Sequence, residues 1–167
     1  MIILGIDPGS NIMGWAVIEQ INNGYRYTSS GVINLKNVDS LQQSLKSIYR
    51  EIDRLIELYH PGAVAIETAF FSKNQRSAFI IVQSATAAML ASLNKGIPLY
   101  EYQPMMIKKA LTGYGNATKD QVQFMVKRLL GLNGSFVLDA SDAMAVAICH
   151  INSIQLKNRF TPNAISH

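Results

Sequence analysis

Apolar runs that end in a carboxylate constrain this chain more than any other feature of its 167 residues. The first is IILGID: Ile2, Ile3, Leu4 and Ile6 form a short apolar run stopped by Asp7 and the turn pair Pro8-Gly9. Such a run reads as a strand buried on both faces, so other elements must cover the sheet above and below. AVAIE, residues 63–67, repeats the pattern and ends in Glu67. A carboxylate at the mouth of a buried strand is costly to desolvate unless something positive meets it. Taken alone, Asp7 has a plainer reading as a turn cap, since Asp-Pro-Gly is good turn chemistry.

The intervening segments supply the covering elements. GWAVIEQI, from Gly14, and the alternating stretch Tyr25 to Leu35 read as two more strands, with Asn22-Asn23-Gly24 as the hairpin turn, which makes the start of the sheet antiparallel. Ser40 and Gln43 form a capping box, and Leu41, Leu45, Ile48, Ile52, Leu55, Ile56 and Tyr59 then share one helical face until His60-Pro61-Gly62. Beyond Glu67 comes a loop with Phe70, Phe71 and Lys73. A helix over 75–94, a strand over 97–102 and a short helix from Pro104 carrying Lys108 and Lys109 follow. The GYGNA loop (113–117) leads to a helix opened by a Thr118/Gln121 capping box and ending near Leu130, and a last helix starts near Leu138. The expected fold is α/β, a mixed five-stranded sheet flanked by helices, in one domain over 1–155 with a flexible tail over 156–167.

The 75–94 helix is unusual. Phe79 to Val82 are consecutive apolar residues and Ser84 to Ala88 are all small, so the helix is apolar on more than one face and must bury two. One can lie on the sheet. The other, with small residues permitting close helix approach, suggests a twofold homodimer. No apolar run reaches membrane-spanning length and no signal-peptide pattern opens the chain. The single cysteine, Cys149, sits in an apolar stretch and fits a reducing cytoplasm, with no membrane partner.

Charge is unevenly spread. Residues 68–131 carry eight Lys/Arg against only Glu101 and Asp120, whereas residues 1–67 carry five Lys/Arg against seven Asp/Glu. A basic middle third suggests an anionic partner, nucleic acid first, and a solubilising surface is the plainer alternative.

Two further acids join Asp7 and Glu67. Asp139 and Asp142 lie one helical turn apart, on a face that continues through Ala143, Val146 and Cys149 and so packs against the sheet. Carboxylates gathered at a sheet edge repel unless a cation joins them, and an all-oxygen set suits a hard divalent ion such as Mg²⁺. No Cys/His spacing points to zinc. Helix capping by Asp139, with Asp142 favouring the positive helix end, is the alternative for that pair.

GIDPGS, AIE followed closely by Phe70, GYGNATKDQVQFMV and DASDAMAVAICH together resemble the bacterial RuvC family of Holliday-junction resolvases over residues 1–152. The resemblance implies a ribonuclease-H-like fold, a homodimer, and a metal-dependent endonuclease that resolves four-way junction DNA in recombination and repair. It implies Asp7, Glu67, Asp139 and Asp142 as catalytic and metal-binding residues, with two Mg²⁺ per site for which Mn²⁺ can substitute. Lys108 and Lys119 would lie near DNA with Lys73, Phe70 would stack on a base at the crossover, and a branch-migration complex would be a partner. The short tail and the second aromatic, Phe71, depart from the pattern; roles for Phe71 and Tyr114 stay open. His150, on an apolar helix past the acids, reads as a packed residue rather than a base. The rival readings are another ribonuclease-H-like nuclease acting on RNA, an actin-like phosphotransferase lobe, for which the chain is too short, and a non-catalytic junction-binding scaffold.

Overall fold

A computed structural model describes residues 1–22, 24–36, 40–68, 75–132 and 140–160, the side chains of 158–160 excepted. Five strands, β1 (Ile2–Asp7), β2 (Ile12–Ile21), β3 (Gly24–Asn34), β4 (Ala63–Glu67) and β5 (Leu99–Tyr102), form one sheet in the order β3-β2-β1-β4-β5. β1, β2 and β3 pair antiparallel, and β4 and β5 join β1 in parallel. Among the described residues five helices accompany them: α1 (Leu41–Tyr59), α2 (Gln75–Asn94), α3 (Pro104–Thr112), α4 (Lys119–Leu130) and α5 (Ser141–Phe160).

The mixed direction follows from the connections. β1 to β2 and β2 to β3 are turns, which reverse the chain; β4 and β5 are each reached through a helix, which returns it parallel. Two-residue alternation then divides each central strand between two cores. Leu4, Ile6, Met13, Trp15, Val17, Val64 and Ile66 face α1 and α2, whereas Ile3, Ala16, Ile18, Ala63 and Ala65 face α3, α4 and α5. This double cover is what the apolar runs of β1 and β4 required.

Helix ends follow their sequence signals, except that of the Ser40/Gln43 box only the Ser40 half forms. Ser40 caps α1 by accepting from the Gln43 backbone, and His60 ends it in the left-handed region, with φ of 47°. Thr118 and Gln121 form the complete reciprocal box on α4. The differences are at edges. β2 begins at Ile12, two residues before Gly14, and β5 begins at Leu99: Ile97 N still bonds the Ser92 carbonyl at the end of α2, and Pro98 accepts from Val64 of β4 but has no N–H to donate. α5 continues through residues 156–160, the first part of the expected tail.

α2 has the length and composition of a membrane-spanning helix, although its apolar residues are interrupted by polar ones and form no single long run. It packs on α1, and its small residues Ser84, Ala85, Ala87, Ala88, Ala91 and Ser92 are buried inside the chain. The sequence pattern points that small stripe at a partner helix; it serves instead to bring α2 close to its own fold. The outward stripe is Phe79, Val82, Leu90 and Leu93, each about half-exposed or more.

Candidate active site

The parity of β1 places Ile3, Gly5 and Asp7 on the α5 side of the sheet, and the parity of β4 places Ala63, Ala65 and Glu67 there too. The parallel register pairs Ile6 with Ile66, so the next residues, Asp7 and Glu67, end their strands side by side. Both acids therefore emerge together at the carboxyl edge of the two central strands.

Asp142 arrives from α5, and its position depends on Gly5. A methyl group at Gly5 would lie 2.2 Å from the Ala143 carbonyl oxygen and 2.9 Å from the Ala147 Cβ. Only glycine under two alanines lets the first turns of α5 lie this close to β1. Asp142 immediately precedes Ala143, so the same approach brings its carboxylate to the strand edge.

α3 and α4 close the other walls. Asp7, Glu67, Pro104, Ile107, Lys108, Lys119, Val122, Asp142 and Ala145 line one cleft of about 350 Å³. Lys119 Nζ donates to Asp142 Oδ2 at 2.9 Å. Three acids and two lysines predicted from separate segments thus share one cleft. Asp139, Phe70 and Lys73, and likewise Phe71, fall outside the described residues.

The electrostatics are those of crowded acids. Burial pushes the Asp7 carboxyl from its ordinary 3.8 up to about 7; the Asp142 carboxylate adds to the rise and Lys119 opposes it. Glu67 also rises to about 7, first through burial, then through Asp7 and Asp142, against Lys108 and Lys119. The two lysines therefore offset only part of the cost that burial and the neighbouring acids put on ionising both strand-end acids. Among the described residues no three His, Cys, Asp or Glu side chains are already placed as a metal-holding group. The donor chemistry still fits a hard divalent cation: all donors are carboxylate oxygens, and a divalent charge would supply what the lysines do not.

Other sequence candidates take ordinary places. His150 is 1% exposed. Its Nδ1 lies 2.7 Å from the Tyr102 hydroxyl and its ring 4.4 Å from that of Tyr100. Burial, with Lys157 adding, pushes its pKa down to about 4, so it is a neutral core residue as its apolar helix implied. Tyr114 is half-exposed, with its backbone oxygen bonded by Thr112 Oγ1. Sequence reasoning passes over the Gly5 approach and the pairing of Gln123 with Ser141, whose hydroxyl accepts from Gln123 Nε2 at 3.3 Å. For Gly5 a signal exists, since glycine inside a buried strand often marks close backbone approach. For Gln123 there is none.

Comparison with known proteins gives the family of the chain. The profile of the family described as crossover junction endodeoxyribonuclease RuvC matches residues 3–150. The crossover junction endodeoxyribonuclease RuvC of Geobacter sulfurreducens is 44% identical over 158 residues, covering 95% of this chain and 96% of that protein. Two solved structures of the Thermus thermophilus RuvC, each 28% identical, superpose closely. One has a TM-score of 0.85 and covers 94% of this chain and 97% of its own. The other, in complex with Holliday junction substrate, has a TM-score of 0.88 and covers 94% and 96%. By profile, by identity over nearly its whole length and by fold, the chain belongs to the RuvC family of crossover junction endodeoxyribonucleases.

Proposed function

We propose that this chain is a structure-selective endonuclease that resolves four-way DNA junctions by paired, symmetric, metal-dependent nicks in recombination and repair. The observation that carries the reading is the joining of Asp7, Glu67 and Asp142 with Lys108 and Lys119 in one cleft at the carboxyl edge of β1 and β4. Buried acids whose ionisation is made costly by one another suit a site completed by cation and phosphate together, and the family relationship supports the same chemistry.

The family is metal-dependent. In our reading Asp7, Glu67, Asp139 and Asp142 hold two Mg²⁺. Metal held by these carboxylates would supply an activated water and stabilisation of the charge on the leaving oxygen. The chain's own residues do the rest. The strand-end placement of Asp7 and Glu67 fixes two ligands on rigid backbone. The seat of α5 on Gly5 fixes a third. Lys108 and Lys119 meet the phosphate backbone and balance its charge. The apolar walls Ile107, Val122 and Ala145 limit water on one side of the cleft. Phe70, three residues beyond Glu67, and Lys73 are assigned to the crossover, the aromatic to stack on an unpaired base.

A homodimer supplies the second cut. The outward stripe Phe79, Val82, Leu90 and Leu93 on α2 is the apolar surface that a twofold partner would cover. Two sites related by that axis match two phosphodiesters of a junction related in the same way. A branch-migration complex and a cytoplasmic location complete the reading. The test is incubation of the protein with a synthetic four-way junction, a linear duplex and an RNA–DNA hybrid, with and without Mg²⁺. Cutting confined to the junction and to the Mg²⁺ samples is expected; preferential cutting of the hybrid would replace this reading with a ribonuclease.

A further inference from the structure

One face of α4 grips the first turn of α5 at two successive residues. Lys119 and Gln123 are four apart on α4 and so point the same way. Lys119 Nζ reaches Asp142 Oδ2 at 2.9 Å, and Gln123 Nε2 reaches the Ser141 hydroxyl at 3.3 Å. Ser141 is fully buried, so its hydroxyl is fixed in place rather than free to reorient in water. α4 itself is well anchored: its start is locked by the reciprocal Thr118/Gln121 box, and Val122 and Val126 sit in the core shared with α5.

The two interactions differ in one respect that matters for a cation-binding site. The Lys119–Asp142 pair uses the carboxylate that the site reading assigns to the metal, so a cation and the lysine ammonium compete for its charge. The Gln123–Ser141 hydrogen bond is neutral and leaves the carboxylate untouched. Nothing in its chemistry sets it in competition with a cation at Asp142.

We propose that Gln123 is a positioning residue for Asp142. Through Ser141 it holds the first turn of α5 so that the Asp142 carboxylate stays at the strand edge when Lys119 gives way to metal. This inference rests on Asp142 being a metal ligand. Groups that orient metal ligands typically change metal affinity or activity about 10–100-fold when removed; a weak, partly exposed hydrogen bond such as this belongs at the low end.

The test compares Gln123→Leu, Ser141→Ala, their double variant and Asp142→Asn with the parent protein. Mn²⁺ affinity is measured by titration calorimetry without DNA, alongside the Mg²⁺ concentration for half-maximal junction cutting, metal-free junction binding and thermal stability. Gln123→Leu and Ser141→Ala should each weaken Mn²⁺ binding and raise the Mg²⁺ requirement by about 10-fold. The double variant should be no worse than either single one, because both remove the same hydrogen bond. Metal-free junction binding should hardly move, and melting temperature should fall by no more than the few degrees that one lost, partly buried hydrogen bond costs. Unchanged Mn²⁺ affinity in Gln123→Leu, or a double variant whose losses multiply, would overturn the positioning role. If Asp142→Asn also kept full Mn²⁺ affinity, the failure would lie in the ligand assignment itself.

Discussion

Replacing Asp7 by asparagine should make the metal-free protein more stable while ending its activity. The carboxyl of Asp7 is pushed from 3.8 to about 7, chiefly by burial and then by Asp142. A rise of about three units corresponds to about 4 kcal/mol of unfavourable energy in the fully ionised native state, at 1.36 kcal/mol per unit. Water entering the open cleft reduces this, and about 1–3 kcal/mol is the gain to expect from neutralising the group. For a chain of this size that is about 3–10 °C in melting temperature. The sign fixes the pH window. The native state binds the proton more tightly than the unfolded chain, so the ionised group costs most above pH 7 and the cost fades as pH falls toward 4. Asp7→Asn should therefore melt higher than the parent at pH 8 and nearly level with it near pH 4. Added Mg²⁺ should raise the parent's melting temperature at pH 8 and leave the variant's almost unchanged. The assay is differential scanning calorimetry over that pH range, with and without Mg²⁺. A lower melting temperature for Asp7→Asn at pH 8, or a difference independent of pH, would refute the crowded-acid account.

Three further outcomes follow from the same geometry. Lys108→Ala and Lys119→Ala should weaken junction binding or cutting, with the salt slope of binding flattened by about one unit for each phosphate that is no longer neutralised; a salt titration of the double variant checks this, and an unchanged slope would place both lysines away from DNA. Gly5→Ala should cost at least about 1–3 kcal/mol, since its methyl would meet the Ala143 carbonyl at 2.2 Å, and cutting should fall more than stability as Asp142 is moved; denaturant unfolding beside a cutting assay reads both. Phe79→Glu or Leu90→Glu, on the outward face of α2, should yield a monomer that folds but does not make paired nicks; mass in solution and cutting are measured together, and a variant that stays dimeric would move the partner surface elsewhere.

Much of the fold is legible because its signals are local. The apolar runs of β1 and β4, the two helix caps and the hairpin each announce themselves within a few residues, and strand parity alone puts Asp7 and Glu67 on one face. What is less legible depends on packing between distant segments. The small residues of α2 read equally well as a partner's seat or an internal one, and only the packing against α1 shows that Ala85 and Ala88 are internal. The start of β5 reads two residues too early because Ile97 and Pro98 are apolar without belonging to the strand. In the site, Asp142 is visible from its helical face, but its register over Gly5, the ion pair with Lys119 and the Gln123–Ser141 hydrogen bond belong to the approach of α5 to β1 and α4. Nothing in the neighbours of Gln123 sets it apart from any polar residue on a half-exposed helix.

The most direct measurement of the central claim is a map of the cuts in a synthetic four-way junction labelled in turn on each strand, followed by treatment with a DNA ligase. The parent protein with Mg²⁺ should nick two opposed strands at equivalent positions and leave ends that the ligase seals, and Glu67→Gln should bind the same junction and leave it whole. Cuts on a single strand, ends that cannot be sealed, or full cutting by Glu67→Gln would contradict the account.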